Sequence, residues 1–207
     1  MKYLQTFLFV ILAVITADAQ KTLPELKAEF SGEEYNFKQI QEEQDGDSWY
    51  DGGQKVIVSA SSTLAGDGKN SYIAANAHDS RTDTAWVEGK KDYGIGQSIT
   101  FTFDRKSLEH DRFTVRGFSI ANGYIKNKKL WGENSRIKTL KIYVDGKAAA
   151  LVKLNDVYGF QSVNFSEIKL SRKKNVSIKF EIVEVYPGSR FADTSISEVR
   201  FFGGGIY

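Results

Sequence analysis

The sequence predicts an all-β protein, an antiparallel jelly-roll β-sandwich preceded by an N-terminal extension. Two observations carry that expectation. Eight short segments rich in β-branched and aromatic residues follow one another between turn signals from Val56 onward. No apolar stripe of helical period runs longer than two turns, so there is nothing to make the crossover connections that parallel strands need, and eight antiparallel strands bury two faces best as a sandwich.

The first nineteen residues read as an export signal: Lys2, then the apolar run FLFVILAVI, then ADA before Gln20. The run is shorter than the roughly 20 residues a bilayer span needs, so cleavage after Ala19 is expected. No second membrane span is expected, and the mature protein should lie outside the cytoplasm, secreted or in the periplasm or cell envelope. Cysteine is absent, which excludes disulfides, thiolate metal sites and a lipidated N-terminal Cys. Residues 20–55 form an acidic extension with nine acids against four bases, whereas 56–207 hold 23 bases against 16 acids. No run of five like charges appears, so this reads as solvated surface. The extension carries scattered aromatics (Phe30, Tyr35, Phe37, Trp49, Tyr50) and is expected to pack partly on the domain and end in the turn DGDSWYDGG.

The predicted strands are VIVSA (56–60), SITFTF (98–103), FTVRGFSIA (113–121), LKIYV (140–144), AALVKL (149–154), QSVNF (161–165), VSIKFEIVEVY (176–186) and SEVRFF (197–202). In the fourth, Leu140, Ile142 and Val144 share one face while Lys141 and Tyr143 share the other. Asp145-Gly146 then supplies the two positive-φ positions of a type I′ hairpin turn. In the seventh, the apolar parity of Val176, Ile178, Phe180 and Ile182 switches at Val183 and Val185, which predicts a bulge at Ile182 or Val183. No repeat of 20–50 residues is present.

Catalysis is poorly provisioned. The only histidines are His78 and His110. No H-E-x-x-H, G-x-S-x-G, Walker A or complete G-x-G-x-x-G occurs, and GIGQSI lacks the third glycine. Carboxylate pairs such as Glu88 with Asp92, or Asp193 with Glu198, are the remaining acid–base candidates. An enzyme is therefore disfavoured.

The segment Ser61–Gly96 is too long for a connection without a purpose. Its VSASSTL…AANAHDSRTDTAWVEG…GIGQSITFTF resembles the opening of a discoidin-like, coagulation-factor type C module with the galactose-binding jelly-roll fold. IANGYIKNKKLWGENSRIKTLKIYV and VEVYPGSRFADTSISEVRFFG are similar to one branch of it, the glycan-binding domain first named from secreted NAD glycohydrolases. The resemblance spans about residues 56–203. It implies a module whose loops at one end bind sugar beside a structural calcium, held by oxygen ligands as a hard cation requires. The matching positions are Asp79, Thr84, the Arg81 carbonyl and Glu198. The family's Asp-Gly turn reads Asp79-Ser80 here, and Asp79 capping its own turn is the alternative to a cage. Trp86 of TAW is expected in the core, its indole donating one hydrogen bond.

Sugar recognition needs a flat aromatic and a few fixed donors and acceptors. The loop before the fourth strand offers Tyr124 and Trp131 with Asn122, Lys126, Asn134 and Arg136. YPGSRFAD offers Tyr186, Arg190 and Asp193, and Glu88 is a third contributor. Both loops should lie on one side of the sandwich, where loop residues on a rigid scaffold form binding sites. A structural Tyr124–Tyr186 pair is the bland alternative. The leading expectation is thus a secreted, non-catalytic carbohydrate-binding module that takes a glycan or glycoconjugate. A protein-interaction or adhesion module of the same fold is the alternative. Nucleic-acid binding ranks last, given the export signal and the small basic excess.

Overall fold

The computed structural model describes residues 22–30 and 54–204. The signal sequence (1–19), the aromatics Tyr35, Phe37, Trp49 and Tyr50 of the extension, and its DGDSWYDGG turn up to Gly53 lie outside the described residues. Among the described residues no helix is long and apolar enough to cross a membrane.

The described residues form ten strands: β1 (Glu25–Lys27), β2 (Val56–Ala60), β3 (Trp86–Val87), β4 (Ser98–Phe103), β5 (Thr114–Asn122), β6 (Arg136–Val144), β7 (Lys147–Lys153), β8 (Phe160–Lys169), β9 (Val176–Tyr186) and β10 (Ser195–Gly204). Two short helices join them, a 3-10 helix at Ala74–His78 and an α-helix, α1, at Lys128–Glu133. The strands form a six-stranded sheet in the order β1-β7-β6-β9-β4-β2 and a four-stranded sheet in the order β3-β10-β5-β8. Among the described residues every strand ladder is antiparallel except one: β1 runs parallel to β7, Leu26 opposite Val152. Being drawn from far upstream, β1 is free of the hairpin constraint that forces the other strands to alternate. Glu29, two residues later, pairs with Ser162 of β8. This segment of the extension therefore joins the edges of both sheets.

The period-two pattern produces the core. Ile99, Phe101 and Phe103 of β4 and Val176, Ile178, Phe180 and Ile182 of β9 point inward and are buried. Val115, Phe118 and Ile120 of β5 and Val199 and Phe201 of β10 meet them from the other sheet. Aromatic rings interlock across the gap, Phe118 with Phe180 at 4.6 Å and Phe101 with Phe201 at 5.2 Å between centroids. Each buried phenyl contributes about 1.5–3 kcal/mol. Asp145 (φ 48°) and Gly146 (φ 79°) form the expected β6–β7 turn. The bulge falls at Val183, since Thr139 pairs with Glu184 and Leu140 with Ile182.

Candidate functional site

The end of β5, the start of β6, the end of β9 and the start of β10 lie at one end of the sandwich, because each is joined to its neighbour by an antiparallel ladder. Four irregular segments crown this end: 62–72, 88–96, 123–135 and 187–194. Backbone hydrogen bonds lace them in a row. Val87 N donates to Tyr72 O, Glu88 N to Thr194 O, and Ser135 N to Asp193 O, at 3.3, 3.1 and 3.0 Å. Ser189, Arg190 and Phe191 donate their amides back to the end of α1. Gly188 is required there, because a Cβ would sit 2.4 Å from the Glu133 carbonyl. The sequence-predicted loops 122–136 and 186–193 are thus in direct contact.

What the two loops bring together is mostly scaffold. The segment before β6 is not all loop: Asn127 caps α1 by accepting from Leu130 N at 2.9 Å. Asn134 closes the same helix through Leu130 O. Arg136, opposite Tyr186 in the β6–β9 ladder, is buried. Its Nε and Nη2 grip Asp156 at 3.0 and 2.9 Å, and Nη1 donates to the carbonyls of Asn134 and Pro187. The guanidinium also lies 4.6 Å from the centre of the Trp131 ring. Trp131 donates Nε1–H to Asn122 O and meets Tyr158 edge-on. The Asn122 amide is consumed on both sides, donating to Ile137 O and accepting from Ile137 N. Tyr186 spends its hydroxyl on Leu154 O. Asn122, Asn134 and Arg136 were expected to offer donors to a ligand. The structure corrects this: they are buried and their groups are already committed to the chain.

Tyr124 is also interior. It packs with Ala85, Val87 and Leu130 and meets Tyr72 edge-on at 6.5 Å, so its aromatic partner is Tyr72 and not Tyr186. Burial and the Tyr72 hydroxyl raise its pKa. Tyr72, half-buried, is also raised, by burial and then by the carboxylates of Asp67 and Asp193. Lys126 is exposed and acts on Asp83, which Arg81 holds in a two-pronged ion pair at 2.8–2.9 Å. Arg190 is exposed, 3.7 Å from Glu133 and over the Phe191 ring. Tyr93 and Phe191 present exposed aromatic surface on the same crown. Sequence reasoning missed Tyr72, Tyr93 and Phe191, whose only signal is an aromatic inside a polar loop.

Glu88 has no exposed surface, yet a single layer of chain covers it. Its Oε2 accepts from Lys90 N at 2.7 Å, and a Cβ on Gly94 (φ 65°) would stand 2.4 Å from its Cδ. Oε1 makes no hydrogen bond, a cost of about 1–3 kcal/mol. Burial raises the Glu88 pKa most; the Lys90 and Thr194 amides oppose this, while Asp193 and Asp92 push it further up. Asp193 is half-buried, and its carboxylate makes no hydrogen bond among the described residues.

A second polar group lies beside β10. Ser80 holds a left-handed backbone (φ 64°), so the Asp79-Ser80 turn takes the conformation that glycine favours. Asp79 accepts from Arg81 N and from Thr84 Oγ1 at 3.0 and 2.8 Å. Glu198, almost wholly buried, accepts from Ser80 N, and Arg200 Nε stands 3.7 Å away. Desolvation pushes its carboxyl up to about 8, with Asp79 adding to the rise and Arg200 opposing it. The charges that act on it are Arg200 and then Asp79; Asp193 is not among them. Arg81 directs its side chain to Asp83; only its carbonyl is left for a metal.

Trp86 is buried and donates its indole N–H to Ser62 O. His78 bonds the Val199 carbonyl between Phe101 and Phe201, and His110 stacks on Phe113.

Solved structures with this fold include a three-domain piece of Clostridium perfringens ZmpB, "CBM32-1, CBM32-2, and M60 catalytic domains". It shares 10% identity at a TM-score of 0.59, over 91% of this chain and 17% of that one. The CBM32-1 and CBM32-2 domains of ZmpB in complex with GalNAc share 12% identity at a TM-score of 0.56, over 90% of this chain and 42% of that one. The chain therefore spans well under half the length of these structural relatives, and at such identity the likeness is one of fold, that of carbohydrate-binding modules. No curated protein sequence matches the chain. The sequence family described as "NAD glycohydrolase translocation F5/8 type C domain" matches residues 49–202. The chain belongs to that family of NAD glycohydrolase translocation F5/8 type C domains.

Proposed function

We propose that this protein is an exported, non-catalytic carbohydrate-binding module that takes a glycan on the crown formed by segments 62–72, 88–96, 123–135 and 187–194. One observation carries the reading: a rigid sandwich laces four irregular segments into a single surface that bears aromatic faces (Tyr72, Tyr93, Phe191) next to an uncommitted carboxylate, Asp193. A sugar offers an apolar C–H face and a hydroxyl rim, which such a surface matches. The network of buried Asn122, Asn134 and Arg136 with half-buried Trp131 and Tyr186 serves by fixing the crown. Membership of the family and the GalNAc complex of a fold relative support the reading.

Calcium suits the second group. Asp79, Thr84, Glu198 and the Arg81 carbonyl are all hard oxygen donors, and a bound cation would add to Arg200 in stabilising the ionised form of the desolvated Glu198 carboxyl. The ion would fix the 79–84 turn beside β10; it supplies no chemistry of its own.

A glycan array of the mature chain tests the proposal. Oligosaccharide binding that shifts little with salt is expected, and alanine at Tyr72 together with Tyr93 should weaken it by about ten-fold or more. Binding to a protein partner but no glycan, lost on removing residues 20–50, would establish the adhesion alternative instead.

A further inference from the structure

We propose that the crown selects a sugar bearing a free, protonated amine, with Asp193 holding the ammonium beside the Tyr72 ring. This rests on the carbohydrate reading above and names the ligand class within it. The row of backbone bonds that joins Tyr72 to Val87, Glu88 to Thr194 and Asp193 to Ser135 brings the three main-chain segments together, and the Asp193 carboxylate acts electrostatically on both the Tyr72 hydroxyl and the Glu88 carboxyl. The charges that act on Tyr72 are Asp67 and Asp193, and those on Tyr124 are Asp67 and Asp83; all are carboxylates. Of these, Asp83 is neutralised by Arg81, and Asp67 is tied to Asn70 and its own turn amides. Asp193 alone keeps its full accepting capacity.

Beneath it lies an independent sign of a missing donor. Glu88 is completely buried, and its Oε1 has no hydrogen-bond partner. The charged neighbours that bear on it, Asp193 and Asp92, are of its own sign. A cation at Asp193 relieves that repulsion, whereas a uronic or sialic carboxylate or a sulfate there adds to it. An aromatic ring beside an anionic oxygen is the arrangement that recognises ammonium groups. The nearby cations do not fill the place: Arg190 sits 3.7 Å from Glu133, and Lys126 acts on Asp83.

The test titrates the mature chain with chitosan and chitin oligosaccharides of equal length, and with galactosamine and N-acetylgalactosamine, at a pH where the free amines are charged. About ten-fold tighter binding of the free-amine forms is expected, as one charge-assisted hydrogen bond provides. Asp193→Asn should bring that ratio close to one, and Asp67→Asn, which keeps the turn's hydrogen bonding, should lower it partway. Circular dichroism checks that each variant folds. Equal or tighter binding of the acetylated sugars by the natural chain overturns the amine selectivity and leaves the carbohydrate reading standing. A ratio unmoved in folded Asp193→Asn refutes the role of Asp193. A lysine-rich peptide bound as tightly as chitosan oligosaccharide overturns the sugar part. Failure of every sugar, charged or neutral, sinks the carbohydrate reading itself and this proposal with it.

Discussion

Replacing Arg136 by alanine separates scaffold from ligand contact. The side chain is 9% exposed, forks onto Asp156, donates to two carbonyls and covers the Trp131 ring. Asp156 is more than a third exposed, so the ion pair is discounted to about 1 kcal/mol. The Asn134 bond at 2.9 Å contributes about 1 kcal/mol, the longer Pro187 bond less, and the stacking about 0.5–1 kcal/mol. Allowing for overlap, Arg136→Ala should lose about 2–4 kcal/mol. For a domain of this size that lowers the melting temperature by about 5–12 °C. Urea unfolding gives the free energy directly, and Arg136→Lys should recover little of it, because an ammonium cannot reproduce the fork. A variant with unchanged stability but abolished glycan binding would falsify the scaffold assignment and return Arg136 to the ligand.

Further outcomes follow from other residues. Ser80→Gly should stabilise the fold by about 0.5–1 kcal/mol in thermal melts, since it relieves a left-handed serine while keeping the amide that Glu198 accepts. Glu198 carries a folded pKa of about 8 against an ordinary 4.5, so its neutral form is the one the fold favours. Its stabilising contribution is complete below pH 4.5 and is lost as the pH rises towards 8; Glu198→Gln should flatten that fall in a melting-temperature profile. The proposed calcium would take the ionised form, so adding it should raise the melting temperature, more at pH 8 than at pH 5, with proton release; no shift at either pH removes the metal. Gly123→Ala should cost more than about 2 kcal/mol by denaturant unfolding, because at φ 94° its Cβ would lie 2.6 Å from Arg136 Cγ and 2.9 Å from Trp131 Cδ1.

Strands long enough to show their period were legible in the sequence, as β9 shows down to its bulge at Val183. β3 was not, being two residues long, and β1 was not, since ELK has no pattern that announces a parallel partner. Helix α1 hid because six residues with Gly132 among them make no amphipathic stripe. The site was legible as a region only. Aromatic and polar letters in a loop announce that hydrogen bonds and ring contacts will be made, but not whether protein or ligand makes them. Arg136 finds Asp156 twenty positions on, and Trp131 finds Asn122 nine positions back; neither pairing leaves a mark on the local pattern. At Asp193 the backbone carbonyl, rather than the carboxylate, does the lacing.

The strand that joins both sheet edges also bears on the order in which this molecule assembles. Leu26 waits for Val152 across five intervening strands, and Glu29 for Ser162 across six. A chain made from its N-terminus therefore presents β1 first and docks it late, after loop closure over most of the domain. Until then the flanks of β7 and β8 stand open as templates for other chains. Nascent copies held at high concentration should associate through that gap, and an excess of a peptide spanning residues 22–30 should suppress it.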